Sequence, residues 1–188
     1  MTGHRVTPLT MAGLEKAAAF YLERYASSRE NLRRVLMRRV ARAARDDDTV
    51  AGEGRALVEA LVARYVAAGL LDDRRYAEAR AAGLARGGAS RFQIRGKLMQ
   101  KGVPREDVDR AIETLDERGE GSEIKAAAAL IRRKRLGPYR KTGDRAEHRQ
   151  KDLAAVARAG FSLDLARRLL RVPDIASLEK MAGEEPED

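Results

Sequence analysis

The chain has no cysteine and no tryptophan, and only five tyrosines and three phenylalanines among its 188 residues. Without thiols, disulfides and thiolate chemistry are excluded, which suits a reducing compartment. The two histidines, His4 and His148, fall in an irregular N-terminal stretch and on the polar side of a helical pattern. They suggest neither a Ser/His/acid grouping nor zinc-ligand spacing, so a non-enzymatic protein without metal or cofactor is expected. No apolar run approaches the ~20 residues of a membrane span. Residues 1–10 lack an apolar signal core. Long alternations of apolar and polar residues are also missing, which argues against a sheet. The expectation is a soluble, cytoplasmic, all-α protein.

What is present is charge. Charged residues make up 36% of the chain and apolar ones 44%, much of the latter alanine. Such a composition suits long, solvated helices with modest cores. The net charge of +9 is uneven: residues 173–188 hold six acids and one lysine, a balance of −5, so the remainder carries +14. A body that basic points to a polyanionic partner, either nucleic acid or a protein coated on it.

The helical pattern turns on one stretch, Gly69-Leu70-Leu71-Asp72-Asp73-Arg74-Arg75-Tyr76-Ala77. Leu57, Leu61, Tyr65 and Ala68 precede it at helical spacing. Gly69 stands where a helix ends, and Asp72 or Asp73 can cap the next one. Around it the periodicity predicts helices over about 14–25, 28–45, 53–68, 72–86, 90–101, from Pro104, 123–135, and after Asp144 and Ser162. Ser27 and Glu30 read as a capping box. Residues 46–54, with three aspartates and two glycines, read as a flexible linker; adjacent carboxylates there repel and solvate rather than bind metal. Gly96 inside a helix costs about 1 kcal/mol against alanine, which suggests a close approach. Tyr21, Tyr65 and Tyr76 read as core. Phe92 and Tyr139 are candidate stacking groups, with core the favoured reading for Phe92 at a helix start.

Two segments repeat. Gly102 is followed by Val108, Ala111 and Ile112, and Gly160 by Ala166, Leu169 and Leu170, at the same offsets. Three tandem three-helix units follow, at 13–70, 71–118 and 119–172, between a flexible tail at 1–12 and an acidic flexible tail at 173–188. They predict an elongated, curved array of helical repeats.

The stretch Leu-Leu-Asp-Asp-x-x-Tyr-Ala at 70–77 resembles a signature of the RecX family, regulators of the RecA recombinase. Arg91, Ile94, Leu98, Lys101, Gly102 and Val103 are similar to that family's Arg-x-x-Ile-x-x-x-Leu-x-x-Lys-Gly-Val/Ile pattern. Tyr21, Leu22, Arg24, Ser27 or Ser28, and Leu32 fit its opening unit. The Arg/Lys run before Gly137-Pro138, Arg149-Gln150-Lys151 and Ala159-Gly160-Phe161-Ser162 fit its third. The resemblance covers about residues 14–172; residues 46–54 depart from it as an insert where the family has a shorter turn. It implies an all-α fold of three triple-helix repeats, no catalytic residues and no cofactor. It also implies binding to the RecA–DNA filament in its helical groove, with lowered ATP hydrolysis, strand exchange and co-protease action; a monomer is expected.

The candidate contacts to that filament, or to single- or double-stranded DNA, are Arg34, Arg38, Arg42, Arg91, Arg95, Lys97, Lys101, Arg132, Arg133, Lys134, Arg135, Arg149 and Lys151. Arginine grips phosphates and carboxylates with a two-pronged donor array. Each of them taken singly also fits a solvated helix face. The alternative is a helical module that binds nucleic acid directly; a scaffold for another acidic protein is a third reading.

Overall fold

The structure, a computed structural model, describes residues 9–45, 47–119, 121–141 and 143–183. Among them every regular element is helical: α1 (Met11–Leu22), α2 (Arg29–Ala44), α3 (Asp48–Ala67), α4 (Asp73–Arg86), α5 (Arg91–Gln100), α6 (Arg105–Glu117), α7 (Glu123–Lys134), α8 (Arg145–Arg158), α9 (Leu163–Leu170) and α10 (Ile175–Ala182), with a short 3-10 turn at Gly137–Tyr139. The protein is all-α.

The chain divides into two compact units. The first holds residues 1–77 and 100–107; the second holds 78–99 and 108–188. Helices α4, α5 and α6 each contribute residues to both. In the first unit α1, α2 and α3 pack together. Their core is Leu14, Ala18, Leu32, Leu36, Val40, Val58 and Leu61, closed by Leu71. In the second unit α7, α8, α9 and α10 enclose Ala127, Leu130, Ile131, Val156, Phe161, Ala166, Leu169 and Leu178. Alanines line much of this core.

Several local readings hold to the residue. Gly69 ends α3 in a Schellman arrangement: its N–H donates to Val66 O at 3.0 Å and that of Leu70 to Tyr65 O at 2.9 Å. Asp72 caps α4 by accepting from the Arg75 amide at 2.9 Å. Asp144 and Ser162 cap α8 and α9.

Four readings are corrected. First, the cap of α2 is Ser28, which accepts from the Asn31 amide at 3.1 Å; Ser27 is buried, and Glu30 turns to Arg34 rather than back. Second, residues 48–54 are not a linker. Asp47 accepts from the Thr49 and Val50 amides and starts α3 at once. Gly54 is buried, and a Cβ there would collide with Leu9 and Val40, so this glycine allows close packing instead of loosening the chain. Asp46 lies outside the described residues. Third, Thr10 caps α1 at Met11, so the expected N-terminal tail reaches too far; residues 1–8 lie outside the described residues. Fourth, Pro173 does not end the ordered body. Asp174 caps α10 through the Ser177 amide, and Leu178 is fully buried against the second core. Residues 184–188 lie outside the described residues.

One joint occurs twice. In the first unit the Ser28 hydroxyl donates to the Lys101 carbonyl, and the Arg29 amide donates to Asp73 Oδ1 at 2.7 Å. In the second, the Ser90 hydroxyl donates to the Ala159 carbonyl at 2.5 Å, and the Arg91 amide donates to Glu123 Oε1 at 2.9 Å. Each accepting carbonyl precedes a glycine of positive φ, +74° at Gly102 and +86° at Gly160. A Cβ on Gly102 would collide with Glu30, two residues after the first cap; one on Gly160 would lie 2.9 Å from Cβ of Phe92, two residues after the second. The glycine pair noticed in the sequence thus marks where one helix end is pressed onto the start of another.

Candidate partner-binding surface

Of the thirteen basic candidates, Arg34, Arg38, Arg42 and Lys101 belong to the first unit and the others to the second. Arg34, Arg38 and Arg42 follow one face of α2 and are exposed. Arg34 is engaged internally: it donates to Glu30 Oε1 at 2.8 Å and to the Gln100 carbonyl at 2.9 Å. Arg42 donates to the Arg38 carbonyl at 3.2 Å. Lys101 is half-buried, with Nζ 3.3 Å from Asn31 Oδ1.

On α5, Arg91 bonds Asp116 Oδ1 at 2.5 Å and the Gly121 carbonyl at 3.1 Å, and Arg95 pairs with Asp109. Lys97 is exposed. At the end of α7, Arg132 interacts with Tyr139 and Arg133 donates to the Gly87 carbonyl. Lys134 and Arg135 are exposed, as are Arg149 and Lys151 on α8. Arg149 also lines a cleft of about 200 Å³ with Arg145, Arg171 and the buried Asp152. Arg34, Arg91, Arg95, Lys101 and Arg133 therefore have work inside the fold. Exposed ion pairs such as Arg95–Asp109 are worth about 0–1 kcal/mol and can be exchanged for an outside anion.

The aromatic readings divide. Phe92 is 73% exposed, which corrects its placement in the core: Ile94 and Leu98 take the inward positions, and a residue two before Ile94 falls on the opposite side of the helix. Tyr139 is half-buried and donates to Glu179 Oε1 at 2.7 Å. Burial first, then that bond, pushes its hydroxyl up to about 12. It is held by the fold and is not a free stacking platform. A Cβ on Gly96 would meet nothing within 4 Å, so no close approach among the described residues accounts for this glycine. Phe20 and Tyr25 are exposed, with the Arg24 guanidinium 3.8 Å over the Phe20 ring.

Two residues with clear roles are absent from the sequence-based set. Arg29 forms an ion pair with the buried Asp73 at 2.9 Å, and that hydrogen bond raises its pKa above the ordinary arginine value against the opposing effect of burial. Arg145 holds the carbonyls of Val172 and Pro173, both at 2.7 Å. Both stand directly after a cap, as Arg91 does after Ser90. Aligning the chain on Ser28, Ser90 and Asp144 would have exposed that recurrence. Among the described residues no group of three or more His, Cys, Asp or Glu could hold a metal, and no helix is long and apolar enough to cross a membrane.

The fold and surface define a basic, all-helical protein of short capped helices joined by a recurring lock. Residues 72–112 match the family model described as the RecX second three-helix domain. The chain is 47% identical over 158 residues to the Regulatory protein RecX of Myxococcus xanthus (strain DK1622), covering 84% of this chain and 83% of that one. It is 27% identical over 164 residues to the Regulatory protein RecX of Agrobacterium fabrum (strain C58 / ATCC 33970), covering 87% and 85%. No solved structure matches the chain at a significant level. The chain belongs to the RecX family, and both of these relatives are named regulatory proteins.

Proposed function

We propose that this protein regulates RecA, mainly as an inhibitor, by binding the groove of the RecA–DNA filament and suppressing its ATPase, strand exchange and co-protease activities. The observation that carries the reading is family membership, at 47% identity over most of both chains. The +9 charge supports an anionic partner such as a DNA-bearing filament. The protein acts without cofactor and without catalysis, as a cytoplasmic monomer. The recurring joint supports a reading as three tandem repeats at 13–70, 71–118 and 119–172.

The contact surface is the thirteen-residue basic set. Its most available members are Arg38, Arg42, Lys97, Lys134, Arg135, Arg149 and Lys151, whose charged ends are not taken up by carboxylates among the described residues. Each phosphate neutralised adds roughly 0.7 to the salt slope on single strands.

The test is RecA's DNA-dependent ATPase on single-stranded DNA, titrated with this protein below RecA's concentration, beside binding to the same DNA without RecA. Strong substoichiometric inhibition with weak bare-DNA binding is the expected result. Tight bare-DNA binding with no effect on RecA would replace the reading by a direct nucleic-acid-binding module. No effect in either assay would leave a helical scaffold.

A further inference from the structure

The second unit contains a cleft of which the basic set names one residue, Arg132. It lies where the end of α4, the end of α6 and the first half of α7 meet, with a volume of about 430 Å³. Ala126 and Ala129 of α7 contribute small side chains to its wall. Four cations surround it: Arg86 from α4, Arg118 just past α6, and Lys125 and Arg132 from α7. Among the described residues no carboxylate lines it.

The cleft is built by close packing, not by chance proximity of long side chains. A Cβ on Gly88 would lie 3.0 Å from the Ala126 carbonyl and 3.1 Å from the Leu130 amide, so the chain after α4 runs directly onto α7. Arg133 fastens the same contact through the Gly87 carbonyl. Three chain segments thus deliver cations to one concavity, where they repel one another. Arg86 and Arg132 also interact within the chain. Arg118 and Lys125 are exposed, and neither makes a side-chain hydrogen bond or ion pair among the described residues.

We propose that this cleft is a phosphate-binding site. A phosphate group offers several oxygens to donors arriving from different directions, and both guanidinium and ammonium groups serve it. The volume falls within the range of small-ligand sites. The phosphate is either the backbone of a nucleic acid or a free phosphate compound. The inference does not rest on the RecA reading, because the site needs no RecA to bind phosphate.

The experiment uses the full chain, a variant carrying Arg118→Ala and Lys125→Ala, and a control carrying Lys16→Ala and Arg168→Ala. The control loses the same two charges elsewhere. All four side chains are exposed, and thermal unfolding verifies that each variant folds. Binding of a fluorescein-labelled oligo(dT) strand is followed by anisotropy between 50 and 200 mM salt, and binding of pyrophosphate by calorimetry. For a nucleic-acid backbone, the cleft variant lowers the slope of log affinity against log salt by about 1.4, twice the roughly 0.7 of one single-strand phosphate, and pyrophosphate does not bind. For a free phosphate compound, pyrophosphate binds the wild type and the control but not the cleft variant. If the cleft variant matches the control with both probes, the proposal is overturned.

Discussion

The two joints share a backbone design and differ in their electrostatics. At both, a serine hydroxyl caps one helix while donating to the last carbonyl before a glycine, and the following amide finds a carboxylate. In the first joint that carboxylate, Asp73, is 5% exposed and also receives the Arg29 guanidinium at 2.9 Å. In the second, the Glu123 side chain is 30% exposed and the Arg91 guanidinium stands 4.0 Å away, turned mainly to Asp116. The constant part satisfies polar groups at helix ends, which cannot be left unpaired when buried. The variable part is the ion pair, whose value depends on how much water reaches it.

The difference can be tested by paired substitutions, each read as a change in denaturant midpoint. Gly102→Ala is expected to cost about 4 kcal/mol and Gly160→Ala about 3. A left-handed backbone costs alanine roughly 1–2 kcal/mol, and overpacking adds about 1–3. The first joint suffers more because the added methyl meets Glu30 more closely than its counterpart meets Phe92. Equal losses would mean that the helix ends relax freely and the tighter contact is not felt.

Asp73→Ala comes next, at about 3 kcal/mol, since it strands the Arg29 amide and guanidinium; the half-exposed arginine keeps the loss at the low end for a broken buried pair. Glu123→Ala should cost less than about 1 kcal/mol, because water can replace its bonds. A loss at Glu123 matching that at Asp73 would break the distinction between the joints. The smallest difference within a pair is expected for Ser28→Ala and Ser90→Ala, each costing about 1 kcal/mol as a lost cap. Their difference should be near zero, because both hydroxyls make the same two bonds. Unequal losses would show that the hydroxyl-to-carbonyl bond matters at one joint only.

Much of the helical layout was legible because caps and stops act locally. Asp72, Ser90, Asp144 and Ser162 start helices by bonding amides a few residues on, and Gly69 ends one by a bond to its own last turn. Distance in the chain defeated the other readings. Gly54 looked like a loosening residue until Val40 and Leu9 were found against it, and α10 looked like an acidic tail until Leu178 was found in the core. Phe92, favoured as core for its place at a helix start, fails for a local reason instead: the helical register set by Ile94 and Leu98 turns it out.

By itself the sequence determined the helical class, most helix starts, the excess of positive charge and the paired glycines. These follow from interactions spanning a turn or less, or from composition. Only the tertiary structure decided which arginines have internal partners, why Gly102 and Gly160 are glycines, and that Arg118 and Lys125 share one cleft. Those outcomes depend on which distant helix ends meet, and spacing along the chain does not encode that directly.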